Sequence, residues 1–156
     1  MVSLTPKELA AAARELVQAG RLGTLSTVSS RKPGWPYGSL APYAPDERGR
    51  PVFFFSALSA HAQNLRKEPK SSLLVASEGE ASQALSRPRV TLLGPVAAVG
   101  EEELSEVRAS YLKAHLEARA WSQLGDFALY RLEPVEIHYV GGFGAAVWLT
   151  AADFAG

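Results

Sequence analysis

Apolar residues near the start of the chain recur with the spacing of an amphipathic helix. Leu9, Ala13 and Leu16 fall on one helical face, so this segment can bury a stripe against a core. Thr5 precedes Pro-Lys-Glu, the pattern of a capping box with proline in the first turn, and Gly20 can end the helix. The pattern therefore predicts a helix between Thr5 and Gly20.

Two later segments also have helical character. Residues 59–67 are predicted to form a short helix that Glu68-Pro69 closes, because the residue before proline disfavours helical backbone. From residue 101 to about residue 120 the apolar positions again follow a helical period, and Leu104, Val107 and Tyr111 share a face. His115 falls on the same face, where a packed and hydrogen-bonded histidine is expected.

Between these helices, short β-prone runs alternate with turns. Val, Thr, Phe and Tyr are concentrated in the runs, whereas Pro and Gly punctuate the connections. Helices interrupt the runs at only a few points, which argues against the βαβ rhythm of a parallel sheet. The sequence predicts an antiparallel, barrel-like α+β domain. Its six predicted strands are RLGTLSTVS, YGSLAPYAP, VFFFSA, SSLLVAS, RVTLLGPVAAVG and FALYRLEPVEIHYVG.

Composition narrows the classes of function. The 156 residues suffice for one domain, and 16 basic residues balance 16 acidic ones, so no global basic field recruits nucleic acid. The sequence has no cysteine and no apolar run of about 20 residues, which excludes disulfides and argues against a membrane span. The expected location is the cytoplasm, without nucleic-acid or membrane partners. The three histidines lack the spacing of metal ligands, so no metal site is predicted.

The stretch FFFSALSAHAQNL, residues 53–65, gathers polar side chains where a strand turns into a helix. Ser59 is the natural N-cap, and the unpaired N–H groups at such a helix start attract anions, phosphate above all. Ser56 and Ser59 offer hydroxyl groups, while His61 and Asn64 offer N–H donors. Two interpretations stay open: a phosphate site, or a capped helix with a surface histidine.

The order of motifs around this stretch resembles a known family. The segment GWPYGSLAPYAPDERGRPVFFFSALSAHAQNLRKEPKSSLLV is similar to the FMN-binding split-barrel family related to pyridoxamine 5′-phosphate oxidase. Two further motifs resemble the haem-utilisation (HugZ-like) branch of that family. They are S-x-L-x-x-H-x-x-N-L and, later in the sequence, YVGGFG. The resemblance covers about residues 20–148 of a single domain, 1–156. It implies a six-stranded split β-barrel with flanking helices.

The resemblance also implies a cofactor site. FMN is the expected cofactor, with its phosphate at the strand–helix junction and its ring along Gly38–Tyr43. The implied partner is a second copy of the chain, in a homodimer with flavin sites at the subunit interface, and a small molecule is the substrate. The residues implied to bind the cofactor are Ser39, Leu40, Tyr43, Ser56, Ser59, His61, Asn64, Arg89 and Tyr139.

The expected function is that of an FMN-dependent oxidoreductase, with no catalytic side chain assigned. The C-terminal Arg-x-His motif of pyridoxamine phosphate oxidation is missing from this sequence. A non-catalytic flavin- or haem-binding protein and a haem-degrading oxygenase are the alternatives, and F420 or haem are alternative cofactors. Ala145 stands where the resemblance implies an arginine in the haem branch. The additional C-terminal domain of many relatives is not expected here, because the sequence stops at Gly156. Weak haem binding without degradation is therefore expected. His138 alternates outward on its strand and is expected to be solvated.

Overall fold

The computed structural model of the protein describes residues 4–142 and 145–156. Four α-helices and nine strands are assigned in these residues, with short 3₁₀ turns at Ala81–Gln83 and Leu116–Ala120. None of the described helices is both long and apolar enough to cross a bilayer. The helices are α1 (Pro6–Ala19), α2 (Ala60–Lys67), α3 (Leu104–Ala114) and α4 (Ala151–Ala155). The strands are β1 (Leu22–Val28), β2 (Pro36–Pro42), β3 (Ala44–Pro45), β4 (Pro51–Ser56), β5 (Lys70–Ala76), β6 (Arg89–Ala98), β7 (Phe127–Leu132), β8 (Glu136–Val140) and β9 (Ala146–Thr150).

All strand pairs among the described residues are antiparallel, and β6 lies at the centre of the curled sheet, where it changes partner along its length. The main order is β2-β1-β5-β6-β7-β4-β3, with β8 and β9 added beside β6. The first half of β6 pairs with β8, and its last residues pair with β7. The structure thus confirms an α+β fold with a curled antiparallel sheet and flanking helices.

The prediction of six strands is wrong in its count. The last predicted strand is divided into two strands, β7 and β8. The regular pairing with β6 is interrupted at Pro134 and resumes beyond it in a different register. Glu133 N donates to Pro95 O at 2.9 Å, and Val135 N donates to Leu93 O at 2.8 Å. Gly94 is required at this crossing, because an added Cβ would lie 2.0 Å from the Glu133 carbonyl oxygen. β3 and β9 account for the other additional strands.

One face of the curled sheet, called here the inner face, carries the main core. Helix α1 covers it with Ala10, Ala13 and Val17, as its apolar stripe predicts. The predicted capping box is confirmed, since the Thr5 hydroxyl and the Glu8 carboxylate exchange hydrogen bonds with each other's backbone N–H. The inner-face residues of this core include Leu25, Tyr43, Phe53, Leu73, Val90, Leu92, Leu132 and Ile137.

A second apolar cluster lies on the opposite side of β4, beneath α3. Phe54 meets Tyr111 edge-on at a centroid distance of 5.8 Å, and Val52 and Leu129 complete the contact. The helix predicted over 101–120 is shorter than expected, because α3 ends at Ala114 and a 3₁₀ turn follows. The two clusters fix β4 from both sides, which holds the strand–helix junction at its end.

Candidate functional site

The junction between β4 and α2 is closed by its own hydrogen bonds. Ser59 is the N-cap of α2, as predicted: its Oγ accepts from Ala62 N at 3.3 Å and donates to Ser56 O at 2.7 Å. The Ser56 hydroxyl donates to Asp126 Oδ2 at 2.5 Å and accepts from Leu58 N. Both hydroxyl protons are therefore directed at protein oxygens, and the backbone N–H groups of the first turn are the donors left to an anion.

Asn64 holds the β1–β2 connection against α2. Its Oδ1 accepts from Ser30 N at 2.7 Å, and its Nδ2 donates to Thr27 Oγ1 at 2.9 Å. The side chain is buried. The amide thus satisfies groups from a segment more than thirty residues away in sequence, so its position at the junction has a structural explanation.

His61 packs into an aromatic group on the inner face. Its ring lies edge-on to Phe55 at 4.4 Å, and Phe55 stacks on Tyr130 at 4.3 Å. Burial lowers the pKa of His61, because the protonated form loses hydration there. Burial therefore favours the neutral imidazole in the absence of a bound anion, which weakens the charge-based part of the phosphate-binding role expected from the sequence.

A polar cleft separates α2 from the β1–β2 connection. Arg31 and Lys32 line it from the β1–β2 connection, Ala60 and Gln63 line it from α2, and Tyr37 also contributes to the lining. The Lys32 ammonium group lies 4.1 Å from the centre of the exposed Trp35 ring. The cleft therefore combines two cations with aromatic surface beside the first turn of α2.

The remaining predicted residues lie at other places. Tyr43 and Tyr139 are core residues, and the Tyr43 hydroxyl donates to Val17 O at 2.8 Å. Burial raises the pKa of Tyr139, and the nearby Glu15 charge adds to this effect. Ser39 also points inward, and its Oγ is buried without a hydrogen-bond partner in the described residues. Leu40 and Arg89 lie on the opposite face of the sheet. The structure therefore groups only Ser56, Ser59, His61 and Asn64 at the junction.

That opposite face, called here the outer face, spans β2, β1, β5, β6, β8 and β9. The strand register aligns one residue from each strand in a central row that crosses all six. The row consists of Leu40, Thr24, Leu74, Thr91, His138 and Trp148. The flanking rows are Pro42, Leu22, Ala76, Arg89, Val140 and Ala146 on one side and Gly38, Ser26, Ser72, Leu93, Glu136 and Thr150 on the other.

The outer face is apolar for a surface without a covering element. Leu40, Leu74 and Trp148 are 72%, 42% and 59% exposed. Arg89 and Glu136 are the charged side chains of the three rows. An antiparallel sheet usually presents polar residues on its solvated face, and large exposed apolar patches mark sites of binding or association.

His138 is a site residue that the sequence did not suggest. It points outward as predicted, but it is half-buried and stacks on Trp148 at a centroid distance of 4.4 Å and an angle of 24°. By contrast, His115 is buried and hydrogen-bonded, as expected: its Nδ1 lies 3.0 Å from Glu117 Oε1 and its Nε2 lies 2.8 Å from Tyr43 O. The neighbours of His138 come from other strands, so only the sheet register reveals them.

Comparisons with known proteins find similarity over nearly the whole chain. A family model described as CREG, beta-barrel, matches residues 4–155. The chloroplastic heme oxygenase HOZ of Arabidopsis thaliana is 36% identical over 141 residues, which cover 90% of this chain and 42% of HOZ. Heme oxygenase HutZ of Vibrio cholerae is 33% identical over 147 residues, which cover 90% of this chain and 80% of HutZ. A solved heme binding protein from Mycobacterium smegmatis has a TM-score of 0.86 and 28% identity, covering 99% of this chain and 62% of that protein.

These findings correct the expected cofactor. FMN as the principal cofactor and the description of an FMN-dependent oxidoreductase are wrong, because these similar proteins are named for heme and not for a flavin. The hydroxyls of Ser56 and Ser59 donate to protein oxygens, and burial favours the neutral form of His61, so these three side chains are weaker anion ligands than the sequence suggested. Only the haem-utilisation part of the resemblance is supported. Cofactor binding by the nine residues named from the sequence stays a prediction.

Proposed function

The chain belongs to the CREG β-barrel family, and from that premise we propose that it is a haem-binding protein that works as a homodimer. The similar proteins named for heme support this proposal over most of the chain's length. Because the chain spans only 42% of HOZ, the activity of the complete relative is carried over here as a proposal.

The outer face meets the chemical requirements of haem. Haem binding uses flat apolar contact, a protein side chain that ligates the iron, such as histidine, and cations that pair with the propionates. Leu40, Leu74 and Trp148 supply apolar surface, and His138 lies between Thr91 and Trp148 in the central row. Arg89 lies on the same strand as Thr91 and points to the same side. When bound, haem supplies the iron, and the residues of this chain hold the macrocycle and exclude water.

The apolar outer face is the observation that carries the proposal. Ala145, where relatives of the haem branch have an arginine, removes one possible propionate contact, and weak binding was expected for that reason. Arg89 offers another cation beside the same face. Its Nη1 donates to Leu85 O and Arg87 O, which leaves other N–H groups of the guanidinium for a carboxylate.

A second copy of the chain is the proposed cover of this face. Sheet faces with exposed leucine and tryptophan are stabilised when a partner removes them from water. A haem held between two such faces would be shielded on both sides. The homodimer expected from the sequence thus has a surface suited to it, and the small-molecule ligand is haem.

Titration with hemin tests the proposal. We expect a saturable Soret band at about one haem per chain. Leu74→Glu places a charge in the central row and should weaken the binding. Leu116→Glu is the control, because Leu116 is also exposed but lies in the turn after α3. Absence of a saturable Soret change in the unmodified protein would refute haem binding. Equal hemin affinities of the two variants would refute the outer face as the haem site.

Haem degradation is a second candidate, favoured by the identity to the two proteins named heme oxygenase. The replacement at Ala145 predicts the opposite, namely that bound haem is not converted. Ascorbate added to the haem complex in air distinguishes them. Loss of the Soret band with release of ferrous iron, trapped by a chelator, supports degradation. A stable band over the same period supports haem binding alone.

A further inference from the structure

We propose that His138 is the side chain that ligates haem iron, and that Trp148 holds its imidazole in position. This inference rests on the proposed function, since it names the residue through which haem would be bound. It concerns a residue outside the junction to which the sequence motifs pointed.

The sequence contains three histidines, and their surroundings in the structure differ. A histidine can ligate iron only through a ring nitrogen that has a free lone pair and a path from the surface. His115 has neither, because both of its nitrogens lie within hydrogen-bond distance of protein oxygens in a buried position. It is a structural residue that fixes the Tyr43 carbonyl group to the end of α3.

His61 lies on the inner side of the sheet. Its neighbour Phe55 packs against the main core, and the side chain of Asn64 on the same helix reaches inward to Thr27. A porphyrin that approached His61 from the core side would have to displace the Phe55 and Tyr130 rings. One side of the His61 ring is taken up by Phe55, which is itself stacked on Tyr130.

His138 lies on the outer face. It is the central residue of β8, opposite Thr91 of β6 and Trp148 of β9, and it makes no side-chain hydrogen bond within 4–142 and 145–156. Leu74 lies next to Thr91 in the same row and is partly exposed. The imidazole therefore lies between Thr91 and Trp148, with the Leu74 side chain beyond Thr91 and Glu136 two residues away on the same face of β8. Neither ring nitrogen has a hydrogen-bond partner among the residues that the structure describes.

Trp148 gives the imidazole a defined orientation. The two rings stack at an angle of 24°, so rotation of His138 about its side-chain bonds would cost this contact. Metal-ligating histidines are usually oriented by a hydrogen bond to the second nitrogen. Here the indole face takes that role, which makes Trp148 a positioning residue and leaves the second nitrogen to solvent or to a group of the partner copy.

Spectroscopy of the hemin complex tests the assignment without a measurement of activity. The ferric complex of the unmodified protein should show the absorption and electron paramagnetic resonance spectra of a histidine-ligated haem. His138→Ala should lose this signature, and added imidazole should restore it by entering the space that the side chain leaves. His138→Gln provides a second variant with a side chain of similar size, in case the alanine variant folds poorly.

His61→Ala is the matched control and should keep the histidine-ligated spectrum. Trp148→Phe should keep it as well, whereas Trp148→Ala should broaden the resonance signals, because the imidazole is then free to rotate. Loss of the signature in His61→Ala but not in His138→Ala would overturn the assignment. Retention in both would do so too. If the unmodified protein binds no hemin at all, the proposed function itself fails, which is a distinguishable result.

Discussion

Asn64 and His61 are separated by less than one helical turn, yet they depend on different physical effects. Asn64 is a buried amide whose hydrogen-bonding groups are both used, whereas His61 is a half-buried imidazole held by aromatic contacts. The sequence predicted the Ser59 cap correctly because a cap is a local interaction. It could not reveal the partners of Asn64, since Thr27 and Ser30 lie on a distant segment.

Replacement of Asn64 by alanine should lower the free energy of unfolding by about 2 kcal/mol. The change leaves the Ser30 N–H and the Thr27 hydroxyl without their partner in a buried region, and unsatisfied groups carry costs of this size. Chemical denaturation measures the effect. Gln63→Ala is the control, because the Gln63 amide is exposed and makes one hydrogen bond, to Leu58 O. Equal losses in the two variants would contradict the tethering role.

His61 should make the protein less stable in acid. Its folded pKa lies below the ordinary value of 6.5, so between the two values the unfolded chain binds more protons than the folded one. The free energy of unfolding therefore falls as the pH drops through 6.5 and below. His61→Gln should reduce this fall, as measured by urea denaturation at pH 7.5 and pH 5.5. An unchanged pH dependence would show that His61 titrates normally in the folded state.

At the scale of elements, an ion-pair network joins the β3–β4 hairpin to β7. Asp46 accepts from the backbone N–H groups of Arg48 and Arg50, and its Oδ2 accepts from Arg50 Nε at 2.8 Å. Arg131 Nε of β7 lies 3.3 Å from the same carboxylate oxygen. The guanidinium of Arg131 also donates two hydrogen bonds to Glu103. One carboxylate thus closes the turn and links it to the neighbouring strands.

Asp46→Ala should destabilise the protein by about 2 kcal/mol, because a partly buried carboxylate that accepts several hydrogen bonds is removed. Two arginines would then lose their shared partner, and the hairpin would lose three hydrogen bonds. Glu133→Ala removes the more exposed partner of Arg50 and should cost no more than about 1 kcal/mol. Thermal unfolding of both variants provides the comparison. A larger loss of stability in Glu133→Ala than in Asp46→Ala would show that Asp46 is not the main stabilising residue of this network.

Elements with local signals were predictable, whereas elements set by pairing were not. Neighbouring residues in the sequence are enough to recognise α1 by its capping residues and apolar period. The same holds for α2, which has a cap at its start and a proline after its end. The division between β7 and β8 depends on where β6 bends, which alternation along the chain does not show. β9 was missed because the glycine-rich segment before it has the composition of a turn, and Phe143 and Gly144 of that segment lie outside the described residues.

At the scale of the whole molecule, the sequence predicted the curled antiparallel sheet but not the arrangement of its outer face. That face depends on the register of six strands, and its central row combines residues from 24 to 148 in the sequence. Leu40 and Arg89 were named from the sequence and do share this face. His138 was expected simply to be solvated, because its contacts with Thr91 and Trp148 cross between strands.

Leu40→Glu should convert the proposed dimer to a monomer. A stable interface buries at least about 1,000 Å² in total, and a carboxylate within it would lose its hydration. Sedimentation velocity at micromolar concentration measures the change. Leu58→Glu is a matched control, because Leu58 is 71% exposed, nearly equal to the 72% of Leu40, but lies beside α2. A monomeric unmodified protein, or dissociation caused equally by both substitutions, would refute a dimer formed through the outer face.

The contact between α1 and α4 has a consequence for the order in which the fold can be completed. The Arg14 guanidinium donates to the carbonyl groups of Asp153 and Phe154, so α1 is held by residues that follow it by about 140 positions. Long-range closure of this kind is slow, because the intervening loop loses entropy before the contact forms. During synthesis on the ribosome, α1 emerges before the strands that it covers, so its apolar stripe stays uncovered until those strands have paired. During that interval α1 is a target for a chaperone that binds short apolar helices.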